Sequence, residues 1–147
     1  MRIIVQKCIE SKVEVDNKIV GKIDNGLMLL VGFTEGDNEK IIDYMADKVI
    51  NLRIFEDENH IMNKSLLDTN GSILTVSQFT LYGDASKGRR PSYIKALRGE
   101  EATKLYDLFN QKLREKNIKV ETGIFGTDMK VSLINDGPTT IILEKEG

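Results

Sequence analysis

A chain of 147 residues with one histidine and one cysteine carries little of the usual equipment for side-chain catalysis. His60 stands in "FEDENHIMN" beside Asp57 and Glu58, so a Ser-His-Asp relay can be drawn on paper. The neighbouring residues, however, read as an exposed acidic turn. A closed zinc site needs about four Cys or His ligands, and the chain has two such residues in all. Neither the G-x-x-x-x-G-K-[ST] phosphate loop nor the G-x-G-x-x-G dinucleotide fingerprint is present. Carboxylates are plentiful, but no spacing singles out a catalytic pair. If the chain is an enzyme, it should be one that needs little side-chain acid–base apparatus, and polarising an activated ester with backbone N–H groups fits that limit. One donor aimed in advance at the developing charge is worth about 10²–10³ in rate. No metal or cofactor is expected.

Two stretches stand out for their backbone or charge. In "LINDGPTTIIL", Leu133 to Leu143, a Gly-Pro pair divides two runs inclined to pair as strands. Proline cannot donate to a ladder and fits only edges, strand starts or bulges. In "SKGRRPS", Lys87, Arg89 and Arg90 share a glycine-interrupted loop, either a solvated surface loop or a local anion-facing patch. The net charge of −2 argues against general attraction to nucleic acid, DNA included, though not against such a patch.

Apolar residues make up 40% of the chain and charged residues 30%, a balance that suits one folded domain over residues 1–147. No apolar run approaches the roughly 18 residues of a membrane span. The opening "MRIIVQKCIESKVEV" alternates and carries charge throughout, unlike a secretory signal. A cytoplasmic location is expected. A single cysteine excludes an internal disulfide, and Cys8, in a strand-like run, reads as a small buried hydrophobe or else a reactive thiol.

The elements that must position these residues follow from periodicity. "MRIIVQKC" and "KVEVD" read as strands, and Asp16-Asn17 can turn the second into "KIVGKI". "DNG" at Asp24 to Gly26 predicts a tight hairpin into "LMLLVGF", an apolar run suited to a strand covered on both faces. Asp37 is the expected cap of a helix in which Ile41, Met45, Val49 and Leu52 recur at helical spacing. "RIFED" reads as strand, "ENHIMNKS" as turn and "SILTVSQFTLY" as one long strand. A second amphipathic helix spans "EEATKLYDLFNQKLREK", with Leu105, Tyr106, Phe109 and Leu113 on one stripe. "IKVETG", "MKVSLIN" and "TTIILE" close the chain as strands. The fold expected is a single α/β domain of mostly antiparallel, barrel-like sheet layers covered by two helices.

"VSQFTLYGD", Val76 to Asp84, and "NDGPTT", Asn135 to Thr140, together resemble the D-aminoacyl-tRNA (D-tyrosyl-tRNA) deacylase family. The resemblance extends over the whole chain through "MRIIVQKC", "DKVINLRIFEDE", "MNKSLLD", "KGRRPSY" and "ETGIFGTDMKVSLINDGP". It implies a three-layer fold and a homodimer with active sites at the subunit interface. It places Ser77, Gln78, Phe79 and Thr80 under the scissile ester, with N–H groups near Gln78 and Phe79 as oxyanion donors. Thr80 is either a nucleophile or a bystander. An unactivated hydroxyl is weak, which favours attack by water or by the terminal ribose hydroxyl.

The resemblance further implies that the Gly137-Pro138 bond is cis and enters the partner's site. There its carbonyls would receive the α-ammonium group, and its backbone would exclude an L side chain while admitting D residues and glycine. Met129 matches a pocket-lining methionine, with core packing its other reading, and Lys87, Arg89 and Arg90 would face the tRNA acceptor end. Three positions depart from the family pattern. Lys7 stands for an arginine whose fork helps hold the Gly-Pro loop, Thr139 for valine, and Gly83 for alanine. The activity implied is hydrolysis of D-aminoacyl-tRNA. The alternatives are a related editing hydrolase acting on mischarged L-aminoacyl-tRNA, and a non-catalytic tRNA-binding module.

Overall fold

A computed structural model describes residues 1–147. Two long strands dominate it, β1 (Arg2–Val15) and β2 (Lys18–Gly32), joined by a tight turn in which Asp16 and Asn17 both take positive φ. A five-stranded sheet forms in the order β6-β5-β2-β1-β7, where β5 is Ser72–Ser77, β6 is Val120–Thr122 and β7 is Lys130–Glu144. The β1–β2 and β1–β7 pairs are antiparallel, whereas β2–β5 and β5–β6 are parallel. A small antiparallel pair, β3 (Phe55–Glu56) and β4 (Met62–Lys64), lies apart from it. The helices are α1 (Glu39–Asn51), the one-turn α2 (Leu66–Thr69) and α3 (Gly99–Glu115).

The expected hairpin at Asp24–Gly26 does not form. The chain runs straight through it as one strand, and Gly26, at φ 150°, pairs with Cys8 on one side and Ser72 on the other. A Cβ there would overlap the Ser72 backbone, so glycine is used for close approach and not for a turn. Strand β1 breaks its alternation close by, at a bulge around Glu10 (φ 52°). Side chains alternate faces along a strand, so these two breaks bring Val13 and Ile23 to the same side as Cys8 and Met28.

Two cores result. The larger lies between the sheet and the helices, where Ile3, Val5, Leu27, Leu29 and Val31 meet Ile42, Met45, Val49, Phe109 and Leu113. The smaller, Cys8, Val13, Ile23, Met28, Leu74 and Val76, lies on the opposite face and is flanked by Met129, Val131 and Leu133. The buried reading of Cys8 therefore holds, and burial pushes its thiol pKa up.

Helix α1 is capped by Asn38, whose side chain accepts from the Ile41 amide at 3.1 Å, and not by Asp37. Asp37 instead accepts from the Met1 ammonium and the Thr34 amide, both at 2.9 Å. Lys112 of α3 reaches Glu39 at 2.9 Å and Asp43 at 3.2 Å on α1, and these carboxylates push its ammonium pKa up to about 12. A capping box between Ser65 and Asp68 starts α2 just after the stretch read as turn, and strand β4 forms within that stretch, where Met62 pairs with Glu56 and Lys64 with Phe55. No helix is long and apolar enough to cross a membrane.

Candidate active site

The central strand β5 ends at Ser77, short of the expected "SILTVSQFTLY" strand. Gln78 still donates its N–H to Val31 O at 2.8 Å, and the chain then winds into a 3₁₀ turn over Phe79–Tyr82. Within that turn Leu81 N–H reaches Gln78 O at 3.2 Å. The amides ahead of it, Phe79 and Thr80, stand at the open end of the turn, as the first N–H groups of any helix do. Of the N–H groups expected to serve near Gln78 and Phe79, that of Gln78 itself is occupied by Val31 O.

This strand end forms one wall of a cavity of about 540 Å³. Val76, Ser77, Gln78 and Phe79 line that wall, Leu97, Arg98, Gly99 and Ala102 a second, and Phe125 to Met129 the third. Met129 meets both of its readings, since it lines the cavity and packs on the smaller core. Thr80 is exposed and does not line the cavity; its hydroxyl contacts the Gln78 side-chain amide. The single imidazole is elsewhere: His60 is 88% exposed, with Nδ1 3.3 Å from Glu56 Oε2. No relay built on His60 reaches this cavity.

The loop behind the cavity is tied down by a buried polar cluster. Tyr106 OH donates to Thr75 O at 2.8 Å, and Gly123 N–H donates to the same carbonyl at 3.0 Å. The Thr75 hydroxyl donates to Asn110 Oδ1 at 2.7 Å. Burial pushes the Tyr106 phenol pKa up. A Cβ added to Gly123 would come 2.5 Å from Met129 Sδ, so the bare backbone at Gly123 makes room for the methionine.

Gly137 and Pro138 lie in a wide bulge of edge strand β7. Gln6 pairs with Thr140 and Cys8 with Asn135, so β7 advances five residues where β1 advances two. The Gly137–Pro138 peptide is cis, and Gly137 has φ 117°. Both residues are exposed, and the loop does not line the Ser77 cavity of its own chain. Lys7, Asp136 and Gly137 border a separate depression. Lys7 Nζ lies 3.6 Å from Asp136 Oδ2 and 5.6 Å from the Phe55 ring, so a lysine does grip the residue preceding Gly137. With its amide nitrogen turned inward, Asn135 donates to Lys7 O at 3.0 Å and Thr139 O at 3.1 Å, closing the base of the bulge.

Lys87, Arg89 and Arg90 are exposed on a loop clamped at its neck by reciprocal 2.8 Å bonds between Asp84 and Ser92, and none pairs with a carboxylate. The Ser86 hydroxyl and amide lower the Asp84 carboxyl pKa at that neck. The Gly83 departure is accommodated by packing: a Cβ there would come 2.9 Å from the Tyr93 ring. Tyr93 in turn meets Phe79 edge-on at 5.4 Å. The residues that sequence reasoning missed are Arg98, Tyr93 and the loop from Phe125 to Asp128. The aromatic and basic residues after the "KGRR" run were the available signal for Tyr93 and Arg98.

The fold is that of a deacylase. The chain superposes at a TM-score of 0.81, over 97% of each chain, on a structure titled as a probable eukaryotic D-amino acid tRNA deacylase; at 20% identity this shows the fold alone. It superposes at 0.93, over all of both chains and with 36% identity, on a structure titled c-Myc DNA Unwinding Element Binding Protein. The family model described as D-Tyr-tRNA(Tyr) deacylase matches residues 4–144. The D-aminoacyl-tRNA deacylase of Brevibacillus brevis is 59% identical over 98% of this chain and 99% of its own length. That of Listeria monocytogenes is 54% identical over 99% and 97%. The chain belongs to the D-Tyr-tRNA(Tyr) deacylase family, as its two motifs implied, and is a hydrolase.

Proposed function

We propose that this protein hydrolyses the ester joining a D-amino acid to the 3′ end of tRNA, discarding L-aminoacyl-tRNA by exclusion. The observation that carries the reading is the open end of the 3₁₀ turn. The open amides of Phe79 and Thr80 stand at the end of a cavity wall, and neither histidine nor cysteine lines that cavity. Water attacks the ester carbonyl, the oxyanion accepts hydrogen bonds from these amides, and collapse releases the ribose oxygen, which takes up a proton. Donors already in place cost no reorganisation as charge develops. Glycyl-tRNA, lacking a side chain to exclude, is accepted by the same logic.

Chirality is read by the Gly137–Pro138 loop of a second copy. The loop is exposed, is held from behind by Lys7 and Asn135, and is absent from its own cavity. Seated in the partner's cavity, it presents main-chain carbonyls to the α-ammonium group and fills the volume an L side chain would need, a specificity achieved through steric conflict. The active unit is thus a homodimer, and Lys87, Arg89 and Arg90 hold acceptor-strand phosphates. The test is hydrolysis of D-Tyr-tRNA and L-Tyr-tRNA by limiting purified enzyme. Equal rates for the two esters, or none for either, overturn the reading.

A further inference from the structure

We propose that Arg98 is a tRNA-binding residue, engaging the phosphodiester next to the 3′-terminal nucleoside from the rim of the Ser77 cavity. This rests on the deacylase reading and adds to it a contact nearer the ester than the basic loop.

The guanidinium stands 4.0 Å from the centroid of Phe79 and 5.5 Å from that of Tyr93, while those rings meet each other at 72°. It is therefore held against an aromatic corner, and Arg98 lines the cavity together with Phe79. Its backbone is anchored as well. Leu97 N–H donates to Phe33 O at 2.9 Å, Thr34 pairs with Ala96, and the Thr34 hydroxyl donates to Lys95 O at 2.6 Å.

None of the guanidinium N–H groups has an acceptor in the chain, and no carboxylate forms an ion pair with it. Glu100 and Glu101 follow it on the first turn of α3, yet neither pairs with it. A fixed, planar, unspent fork matches a phosphate, which takes two parallel N–H bonds from arginine. In an aminoacyl-tRNA one ribose separates the ester from the preceding phosphodiester. An ester at the Phe79 amide therefore brings that phosphate to the cavity rim.

The experiment compares wild type, Arg98→Gln and Arg98→Lys on D-Tyr-tRNA and on D-tyrosyl-adenosine, which has the ester but no phosphate. Binding of an uncharged acceptor-stem minihelix is measured across a salt series alongside. For Arg98→Gln, kcat/KM on D-Tyr-tRNA should fall about tenfold, the size of one charge-assisted hydrogen bond, chiefly through KM. The loss on D-tyrosyl-adenosine should be much smaller. The log–log salt slope for the minihelix should shrink by about 0.7, one single-strand phosphate. Arg98→Lys, which keeps the charge and loses the fork, should recover the slope while recovering only part of the affinity.

Equal losses on the two esters would mean that Arg98 acts by bracing Phe79, and the proposal fails. An unchanged salt slope in Arg98→Gln also overturns it. If wild type cleaves neither ester, the deacylase reading fails, and the minihelix slope still decides whether Arg98 meets a phosphate.

Discussion

Replacing Gly137 by alanine tests the stereochemical device at its narrowest point. Gly137 adopts φ 117°, and an added Cβ would come 2.7 Å from Thr139 Oγ1 and 3.2 Å from the Thr139 amide nitrogen. Thr139 is only 6% exposed, so its side chain has little room to move and relieve the overlap. Holding an L residue in such a backbone region costs about 1–3 kcal/mol. At roughly 4 °C per kcal/mol for a domain of this size, Tm falls by about 4–12 °C if the loop keeps its shape. If the exposed loop shifts instead, Tm falls less but its carbonyls move. A displacement near 1 Å costs about 100-fold in rate at a positioned site.

The assay is single-turnover release from D-Tyr-tRNA, with thermal unfolding measured on the same preparation. Adding Thr139→Ala removes the hydroxyl and leaves its Cβ at an ordinary 3.6 Å, so the double variant should regain part of the lost rate. The backbone conformation and the amide contact are untouched by that change, so recovery stays incomplete. A Gly137→Ala enzyme with wild-type rate and wild-type D/L ratio would refute the claim that this loop enters an active site.

Thr80→Ala should keep kcat within about threefold of wild type, since the main-chain donors survive it; a folded, dimeric but inactive variant would instead make Thr80 the nucleophile. Gly123→Ala should push the Met129 thioether into the cavity, lowering kcat/KM for D-Tyr-tRNA more than for D-Ala-tRNA, and equal losses would show that Met129 moves elsewhere. In alkaline solution the sign is fixed by burial. Cys8, Tyr82 and Tyr106 all have raised pKa values, chiefly through desolvation. Their neutral forms stabilise the fold below the unfolded values near 9 and 10, and that contribution is lost as pH rises through the folded values. Urea midpoints should therefore drop progressively as pH rises above about 9, and Tyr106→Phe should flatten part of the slope above about pH 10. Wild-type midpoints that do not change over that range would contradict the burial argument.

Much of the local structure was legible in residue order because short-range physics decides it. Helical spacing marked α1 and α3, β-branched and apolar runs marked the strands, and Asp16-Asn17 marked a real turn. Proline in the "LINDGPTTIIL" run pointed to an edge or a bulge, and β7 supplies both. Scarcity of histidine and cysteine turned the expectation away from side-chain acid–base chemistry. Tertiary contacts decided the remainder. Gly26 does not make the turn that "DNG" implies, because β5 packs against it and the strand must stay continuous. The Gln78 amide was spent on Val31, and the 3₁₀ turn shifted the open donors to Phe79 and Thr80, which no periodicity reveals. Arg98 became part of the cavity rim only when the segment after the basic loop folded back against the end of β2. Such contacts link residues distant in sequence, and one chain's residue order records the partners without recording which of them meet.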